Sequence, residues 1–500
     1  MRRWLSSHRT GLALALILIV ATGLRTVSFI GYGYDGDDVG YAELAHSMVA
    51  GGFREAHERT SLIFPARIGI LAPAAMSFKV FGVSEQTLGV YPLMVSLAGI
   101  LLAYVAGNVL FNERVGLLAA VLHAFLPVDV RYGTLLYPDP PGALWLNGAI
   151  VLLYGASRGG IRRRMLAGVL AGLFLGLSWL SKEALLFSLP FVAGYILWAA
   201  YQRKENLALA AGTLLGFSAV IGIESAAYAW YFNEPLYHFH AIERHSHSPS
   251  ATPWFWPVDA SWSQLGARLF RDGPETILLS TRFGLVTAVA TLAVCYALFK
   301  KWRAWAFVSA WFVYHAVIFN FGSHSLRNYM PLPTADRYLW SLLLPAVILT
   351  GAFLDSLFRE RTSARRWNER DSVFWAGALI VVLTLGFAHG LYRNFKEESK
   401  FGAEKTLASM LSPDTSVFAD DLTLAGLKFF WAYPEGTRLV EFRGMQANEI
   451  PRAVYVLVNP NRAAILEQQG WRPPDFLHGD VPGSWVQKWE HPPARLYWVP

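Results

Sequence analysis

The first long apolar segment of this chain is followed by YDGDDVGY, residues 34–41, which places three carboxylates within four positions. The apolar segment covers residues 11–30. It is close to the ~20 residues with which an α-helix crosses a hydrocarbon core of ~30 Å. The sequence therefore predicts a membrane-spanning helix whose outer end carries an acidic cluster. Charges at such a depth are costly and mark a candidate functional site.

A short helix is predicted directly after the acidic cluster, along the membrane surface. Its apolar positions recur at helical spacing and are followed by a Gly-Gly pair that ends the helix. These residues are Tyr41, Leu44, Ala45, Met48 and Val49, then Gly51-Gly52. One aspartate is a favoured N-cap and would be enough to start this helix. Carboxylates this close together also repel each other when ionised, which favours one of them as a proton acceptor. Both roles stay open on the sequence alone.

The composition is that of a polytopic membrane protein, because 54% of the 500 residues are hydrophobic and 14% are aromatic. The net charge of +7 does not indicate nucleic acid binding, since the basic residues fall in short loops between apolar segments. The single cysteine, Cys295, excludes an internal disulfide and a cysteine-based metal site. The first segment has a basic start, as a signal peptide does, but its long apolar run predicts an uncleaved anchor.

About eleven apolar segments are predicted as membrane spans. With the N-terminus inside, every strongly basic loop falls on the inner side, as the positive-inside rule requires. A further segment, residues 68–78, contains Pro73 and is too short to cross, so it is predicted to lie at the surface or to be re-entrant. The predicted spans cover residues 11–30, 89–111, 115–128, 140–156, 165–181, 184–201, 207–232, 277–299, 304–321, 338–358 and 372–392.

The larger polar regions are predicted on the outer side. Residues 1–392 are predicted to form a transmembrane domain with a long first outer loop, 31–88, and a middle outer loop, 233–276. Residues 393–500 mix helix-like and strand-like runs with Pro and Gly turns, which predicts a small soluble α/β domain on the extracytoplasmic face. The sequence contains no P-loop and no glycine-rich dinucleotide-binding motif.

Ionisable residues gather at the outer ends of the predicted spans, where a charge usually faces a wet cavity or another charge. They combine acids that can activate a hydroxyl with cations that can hold a phosphate. The main candidates are Asp35, Asp37, Asp38, Arg67, Asp129, Arg131, Asp139, Lys182, Glu183, Glu224, Glu234 and Arg337.

Several of these candidates also have a purely structural interpretation. Lys182 and Glu183 can form an ion pair with each other at the membrane interface. Arg131 can simply neutralise Asp129 and Asp139. The position of Asp139 directly before a Pro-Pro pair, at a predicted helix start, favours a functional role for that acid.

The histidines of the middle outer loop have spacings that can bind a metal ion. No acidic or cysteine partner completes a familiar pattern, so His238, His240, His245 and His247 are predicted to line a cavity. Arg337 enters a span from the outer side, where it can be an interfacial anchor or a fork for a phosphate.

An ordered series of motifs runs through the membrane part of the chain. It consists of Asp37-Asp38, Tyr41, Ala45 and Gly51-Gly52; Pro65; Lys79 to Gly82; Leu110 to Arg114; Gly116 to Ala120; Pro127, Arg131 and Asp139; Lys182-Glu183; and Arg337-Tyr338. This series resembles the GT-C class of membrane glycosyltransferases, in particular the family that includes protein O-mannosyltransferases and lipid A aminoarabinose transferases. That family often has Asp-Glu where this chain has Asp37-Asp38, which leaves the role of the second acid open.

The resemblance implies transfer of a sugar from a polyprenyl-phosphate donor to a glycan, lipid or protein acceptor. It implies Asp37 as the general base or acceptor-orienting acid, with Asp38 and Asp139 as further catalytic candidates. The donor phosphate is then expected to bind Lys182, Arg337, Arg131 and Arg67, with Asp35, Tyr41 and Glu183 in support. No nucleotide and no obligatory cofactor is implied, although Asp35, Asp37 and Asp38 could hold Mg²⁺ or Mn²⁺.

The implied location is the plasma (inner) membrane, with the active site and the C-terminal domain extracytoplasmic. A polysaccharide polymerase or ligase that uses lipid-linked sugars is an alternative and would move a whole glycan. A transporter or flippase of lipid-linked sugars is a weaker alternative, because it favours charges buried mid-span and two similar halves. The sequence does not specify the sugar, the acceptor or the oligomeric state.

Overall fold

The computed structural model shows a predominantly helical chain in which a small β-sheet is confined to the C-terminal part. The predicted fold class is therefore confirmed: a polytopic α-helical protein with a small α/β unit at its C-terminal end. The structure describes the whole chain except residues 1, 34–35, 60–62, 158–160, 184, 247–260, 324–328, 334, 361–368, 397–398, 443 and 469–471.

Helices occupy most of the chain up to the middle outer loop. They are α1 (Arg2–Val27), α2 (Asp37–Ala50), α3 (Phe53–Arg59), α4 (Ile68–Phe81), α5 (Glu85–Leu110), α6 (Glu113–Phe125), α7 (Pro127–Tyr132), α8 (Asp139–Ala156), α9 (Ile161–Ser181), α10 (Leu185–Gln202), α11 (Leu207–Phe232) and α12 (Tyr237–Ser246). The predicted helix after the acidic cluster is α2, and it ends before Gly51, as its Gly-Gly pair indicated.

The rest of the chain contains further helices and all of the described strands. The helices are α13 (Trp262–Ala267), α14 (Gly273–Leu279), α15 (Val286–Tyr296), α16 (Trp302–Phe321), α17 (Trp340–Glu360), α18 (Glu369–Lys396), α19 (Gly402–Met410), α20 (Asp421–Phe430) and α21 (Pro460–Gln468). The strands are β1 (Val417–Ala419), β2 (Leu439–Glu441), β3 (Val454–Val458), β4 (Val486–His491) and β5 (Ala494–Val499).

Within the described residues, six helical stretches are long and apolar enough to cross a membrane, judged by length and composition. A seventh is possible if a pair of helices that meets at a 120° bend, 262–283 and 286–300, counts as one span. The other predicted spans do not meet this combined test of length and composition within the described residues, so about eleven spans stays a prediction. The six stretches are Arg9–Val27, Glu85–Leu110, Arg163–Ser181, Lys204–Phe232, Asp336–Arg359 and Ala376–Lys396.

Local backbone chemistry explains where predicted spans are shorter than expected. Helix α6 ends at Phe125 because Leu126 precedes Pro127, and a residue before proline is disfavoured in the helical conformation. The predicted span 277–299 is interrupted because Gly284 and Leu285 both adopt left-handed backbone conformations, with φ of 55° and 64°. A hydropathy pattern contains no signal for such a bend.

Helix α17 is the centre of the membrane part. Its apolar stretch is 83% buried inside the protein, whereas the stretch in α1 is 11% buried and therefore peripheral. The central turns of α17 consist of small and branched apolar residues that are fully buried, Ala346 to Leu349. The 3₁₀ turn Asp336–Leu339 leads directly into this helix, so Arg337 is attached to the best-packed element of the fold.

Helices α9 and α11 pack closely through glycines spaced four residues apart. A Cβ atom added to Gly172 would lie 2.2 Å from the carbonyl oxygen of Thr213, and one added to Gly216 would lie 2.2 Å from that of Val169. Small residues at such spacing let two membrane helices approach backbone to backbone. Lys182 directly follows α9, so this contact fixes its height relative to α11.

Substitution of Gly172 by leucine is expected to lower the Tm of the protein, because backbone atoms of α11 occupy the space its side chain needs. Overpacking of this kind typically costs ~1–3 kcal/mol. Thermal unfolding in detergent measures the effect. Gly194→Leu on α10 is the matched control, since a Cβ there meets nothing within 4 Å. Equal Tm values for the two variants would contradict the close α9–α11 contact.

The C-terminal sheet has five strands in the order β2-β1-β3-β5-β4. Strand β1 pairs in parallel with β2 and β3, and β5 pairs antiparallel with β3 and β4. Helix α20 starts at an N-cap, Asp420, whose side chain accepts a hydrogen bond from the backbone of Thr423 at 3.0 Å. A separate apolar core that includes Leu407, Leu427 and Val456 holds these elements together. The predicted boundary at residue 393 falls inside α18 and stays a prediction.

Candidate active site

Asp37 forms an ion pair with a residue 300 positions away. Its Oδ2 accepts a hydrogen bond from Nη1 of Arg337 at 2.8 Å, and the two side chains are 33% and 14% exposed. Asp37 is the first residue of α2, but the helix has no side-chain cap: Gly36 stands at the cap position with φ of 106°. The capping interpretation of the acidic cluster is therefore wrong, and the Asp37 carboxylate faces a cation.

Asp38 is turned the other way from Asp37. It is fully buried, and its carboxylate accepts backbone hydrogen bonds from Gly33 at 2.5 Å and from Gly36 at 3.4 Å. These bonds close the chain on itself between the end of α1 and the start of α2. Asp38 was predicted as a catalytic candidate, but the structure gives it contacts that hold this loop. Asp35 lies outside the described residues.

A second ion pair lies beside the first. Lys182 binds the carboxylate of Asp139, and its Nζ atom also sits 4.2 Å from the centre of the Tyr338 ring. Arg337 lies over the same ring at 5.3 Å and over that of Tyr137 at 5.4 Å. Cations favour the faces of aromatic rings. Both cations therefore contact the Tyr338 ring, and this shared contact brings them together in one site.

A pocket opens where Lys182 and Asp139 meet. Its cavity volume is about 30 Å³, and it is lined by both residues together with Ser178, Tyr338 and Trp340, among others. Burial lowers the pKa of the Lys182 ammonium, while the carboxylate of Asp139 opposes this shift. The pocket thus combines a cation, an acid and aromatic walls.

Arg67 and Glu183 form a third ion pair. The guanidinium donates to both carboxylate oxygens, at 2.6 and 3.1 Å, and also binds the hydroxyl of Tyr41. One interpretation of the sequence paired Lys182 with Glu183. The structure instead gives each of them a separate partner. Burial alone would raise the pKa of Glu183, but Arg67 and Lys182 outweigh this and lower it to about 2.

The stability that Glu183 supplies should depend on pH in the acidic range. Its ordinary pKa is 4.5 and its pKa in the folded protein is about 2. The contribution is therefore complete above about 4.5 and is lost as the pH falls toward 2. The Tm difference between the unaltered protein and Glu183→Gln is expected to shrink as the pH falls from about 6 to about 3. The exposed Glu435→Gln serves as control, and a constant difference would contradict the buried pair.

Asp129 and Asp139, the two acids that Arg131 could neutralise according to the sequence, each bind another cation. Asp129 binds Arg25 of α1 and accepts a hydrogen bond from Ser96 at 2.7 Å, while Asp139 is held by Lys182. Arg131 itself is fully buried on α7. Sequence reasoning missed Arg25, although an arginine inside a predicted span is a recognised signal.

The histidines of the middle outer loop have acidic partners. His238 contacts Glu224 at 2.6 Å, and the other oxygen of Glu224 accepts a hydrogen bond from Trp179 at 2.8 Å. His240 contacts Glu234, also at 2.6 Å, near the surface. The first contact joins α9, α11 and α12 just below the end of α9.

His245 is near the ion pairs described above and was not singled out from its neighbours on sequence grounds. Burial lowers its pKa, and the guanidinium of Arg67 lowers it further, while Glu183 and Asp37 act in the opposite direction. His247 lies outside the described residues.

A metal centre finds limited support in the described part of the chain. No group of three or more His, Cys, Asp or Glu residues is arranged to hold a metal ion among the residues that the structure describes. Of the acidic cluster, Asp37 binds Arg337 and Asp38 binds backbone amides. The cation predicted between Asp35, Asp37 and Asp38 therefore stays a prediction.

A wider cleft shares Tyr338 with the pocket. It is open to solvent and has a cavity volume of about 730 Å³. Arg337 and Tyr338 form part of its wall, and Lys400 joins it from the C-terminal region. The remaining charged residues of its wall are Asp272, Glu275, Arg282, Asp336 and Arg393. Tyr338 therefore borders both a narrow pocket and a wider space of the size of an ordinary ligand pocket.

The long apolar helices are those of a multi-pass membrane protein, and part of the chain matches a known family. The family model described as dolichyl-phosphate-mannose-protein mannosyltransferase matches residues 70–223. An undecaprenyl phosphate-α-4-amino-4-deoxy-L-arabinose arabinosyl transferase from Pseudomonas aeruginosa strain UCBPP-PA14 is 27% identical over 190 residues, which are 37% of this chain and 34% of the relative. The match thus spans about a third of the curated relatives' length.

Solved structures share the fold over nearly the whole chain. ArnT from Cupriavidus metallidurans bound to undecaprenyl phosphate has a TM-score of 0.60 at 14% identity and covers 97% of each chain. The archaeal oligosaccharyltransferase AglB from Archaeoglobus fulgidus, in complex with an inhibitory peptide and a dolichol-phosphate, has a TM-score of 0.62 at 12% identity. That match covers 96% of this chain and 72% of AglB. The predicted resemblance to GT-C glycosyltransferases is confirmed.

Proposed function

We propose that this protein is a membrane glycosyltransferase that moves a sugar from a polyprenyl-phosphate donor to an acceptor at the extracytoplasmic face of the plasma membrane. The observation that carries the proposal is the 2.8 Å contact between Asp37 and Arg337. It joins a carboxylate from the first outer loop to a cation at the start of the central helix, beside a pocket that contains Lys182. The donors named for the relatives are also sugars on lipid phosphates.

The proposed reaction is a single displacement at the anomeric carbon. The bond between the acceptor oxygen and this carbon forms while the bond between the carbon and the phosphate oxygen breaks. The acceptor proton passes to Asp37, and the electron pair of the broken bond remains on the polyprenyl phosphate. Lys182 and Arg337 stabilise the negative charge that develops there. Direct displacement of this kind inverts the configuration of the sugar.

Both proposed phosphate ligands already hold a carboxylate when no donor is bound. Arg337 holds Asp37, and Lys182 holds Asp139. A phosphate competes well for such cations, since bonds between two charged groups are the strong ones. Donor binding would therefore draw Arg337 away from Asp37 and leave this carboxylate available to the acceptor.

The remaining site residues are assigned supporting roles. The guanidinium of Arg67 donates hydrogen bonds to Glu183 and to the hydroxyl of Tyr41. Because Tyr41 belongs to α2 and Glu183 follows α9, Arg67 is assigned the role of joining these two helices. Asp38 holds the loop before α2. Arg131 stays a candidate phosphate ligand from the sequence.

The proposal is tested with purified protein and lipid-linked donors. The first probes are the two donors that the relatives' names contain, undecaprenyl phosphate 4-amino-4-deoxy-L-arabinose and a polyprenyl-phosphate mannose. Release of free polyprenyl phosphate is expected with an acceptor present, and a nucleotide sugar should give none. Turnover of a nucleotide sugar, or transport of the lipid without release of its sugar, would overturn the proposal.

A second candidate is the transfer of a whole glycan. The cleft beside Tyr338 is open to solvent and has a cavity volume of about 730 Å³, and AglB, whose fold this chain shares, is named an oligosaccharyltransferase. Mass spectrometry of the product distinguishes the two candidates. A mass increase of one sugar supports the first, and an increase of several sugars in one step supports the second.

A further inference from the structure

The loop that precedes the acidic cluster is bonded to the C-terminal part of the chain. The backbone N–H of Lys400 donates to the carbonyl oxygen of Gly33 at 2.8 Å. The hydroxyl of Ser399 donates to the carbonyl oxygen of Tyr32, also at 2.8 Å. Residues that are separated by more than 350 positions in sequence thus fix two successive peptide groups of one loop. The loop lies only a few residues before Asp37.

An aromatic stack reinforces these hydrogen bonds. Tyr32 is fully buried and lies parallel to Phe429 of α20, with ring centres 3.8 Å apart and an interplanar angle of 1°. Phe401 and Phe430 each meet the Tyr32 ring edge-on at 5.5 Å. Stacked and edge-on aromatic pairs attract each other beyond the effect of the area they bury. The C-terminal unit therefore encloses the Tyr32 side chain on three sides.

The fit between the two parts leaves no room for a larger residue at position 33. Gly33 has φ of +79°, a conformation that favours glycine, and a Cβ atom there would lie 2.4 Å from the ring of Phe401. Farther along α2, His46 stacks on Tyr433 with ring centres 4.1 Å apart. The C-terminal unit thus contacts both the loop that precedes α2 and the later part of α2 itself.

A short chain of contacts leads from this interface to Asp37. Phe429 stacks on Tyr32, the next residue is Gly33, and the N–H of Gly33 donates to the carboxylate of Asp38 at 2.5 Å. Asp38 is the second residue of α2 and directly follows Asp37. A shift of the loop would therefore move the Asp37 carboxylate relative to Arg337. A misplacement of about 1 Å at a reacting group can cost about a hundredfold in rate.

We propose that the C-terminal unit positions the catalytic carboxylate: through Phe429 and Lys400 it clamps the loop at Tyr32 and Gly33 and holds Asp37 opposite Arg337. The proposal rests on the proposed function for its catalytic meaning, but the clamp itself is a property of the fold. Phe429 and Tyr32 act as positioning residues, since neither touches the reacting atoms. Lys400 also lines the open cleft that contains Arg337 and Tyr338, so the same segment reaches from the clamp to this cleft.

The test compares two aromatic truncations in the same C-terminal unit of the full-length protein. Phe429→Ala removes the stacking partner of Tyr32, whereas Phe476→Ala removes a core ring that packs on Phe442 and Trp485. Phe429→Ala is expected to lower kcat about 10- to 100-fold per folded molecule. Its KM for the lipid donor should change less than about twofold, because Lys182 is untouched. Phe476→Ala should lower the Tm without this loss of kcat.

A readout that does not need turnover separates the clamp from the proposed function. Deuterium uptake of peptides that cover residues 31–45 should rise at least about threefold in Phe429→Ala and remain unchanged in Phe476→Ala, since opened structure exchanges faster. If the unaltered protein turns over no lipid-linked sugar, the proposed function fails, and the uptake comparison still decides the clamp. Equal deuterium uptake and equal kcat in Phe429→Ala and Phe476→Ala would overturn the proposed clamp.

A second pair of variants covers the case in which Phe429→Ala does not fold. Tyr32→Phe keeps the stacked ring and should retain kcat and deuterium uptake, since the hydroxyl has no hydrogen-bond partner in the described part of the chain. Tyr32→Leu loses the ring and should behave as Phe429→Ala does. A loss of kcat in Tyr32→Phe equal to that in Tyr32→Leu would contradict a role for the stack.

Discussion

The Asp37→Asn variant is expected to transfer sugar about 10²–10⁴-fold more slowly than the unaltered protein. The amide keeps the shape of the side chain but cannot accept the acceptor's proton. Because the substitution also removes the carboxylate that Arg337 holds, this guanidinium becomes available to a phosphate. Binding of undecaprenyl phosphate should therefore be as tight as before, or tighter. The combination of slower transfer and undiminished binding is the signature of a base that competes with the donor for one cation.

Two further variants serve as controls for Asp37→Asn. Asp272→Asn removes an acid from the wall of the cleft that Arg337 also lines, and its partner Arg271 is exposed. This variant should keep transfer within about twofold, as surface ion pairs contribute little. Asp37→Glu retains a carboxylate and should keep more activity than Asp37→Asn. Transfer by Asp37→Asn at the unaltered rate would remove Asp37 from the catalytic role.

Much of the fold follows from patterns that are local in sequence. The apolar run before the acidic cluster, the helical spacing from Tyr41 onward and the Gly51-Gly52 pair predict that α1 and α2 exist. The end of α2 is also predicted, whereas α1 covers Arg2–Val27 and the predicted span was 11–30. Each signal depends on a handful of adjacent residues, which is why it can be recognised in one sequence. The mixture of helix-like and strand-like runs after residue 393 likewise anticipates a small α/β unit.

The partners of the charged residues could not be predicted in the same way. Lys182 and Glu183 are adjacent in sequence, yet one binds Asp139 and the other binds Arg67, 116 positions away. Successive residues at a helix end point in different directions, so adjacency does not predict pairing. Arg25 shows the same limit, because only the packing of α1 beside α7 brings it to Asp129.

The convergence of the site itself was expected only through the resemblance to a family. Nothing in the spacing of Asp37 and Arg337 predicts a contact across 300 positions. The role of the C-terminal unit was missed for a related reason: Tyr32 and Gly33 look like ordinary loop residues until Phe401 and Phe429 are placed against them. An aromatic contact between distant segments produces no periodic pattern in the sequence of either segment.

The Lys182→Met variant is expected to lose about 10²–10³-fold in kcat/KM. Methionine keeps a similar length and apolar stem but removes the ammonium that faces the leaving phosphate. It also leaves Asp139 buried without a cation, which costs ~3–5 kcal/mol in typical cases. Two effects therefore occur together in this variant, and the loss of activity alone does not distinguish a phosphate ligand from a structural ion pair.

Neutralising both partners separates these effects. Lys182→Met/Asp139→Asn removes the uncompensated charge, so its Tm should recover, because replacing a whole buried pair is often nearly neutral. Its affinity for undecaprenyl phosphate should remain low, whereas Asp139→Asn alone should bind at least as tightly as the unaltered protein. Arg164→Met/Glu205→Gln removes another ion pair of α9, far from this pocket, and serves as control. If affinity recovers together with Tm in the double variant, Lys182 only stabilises the fold; if it stays low, the ammonium holds the phosphate.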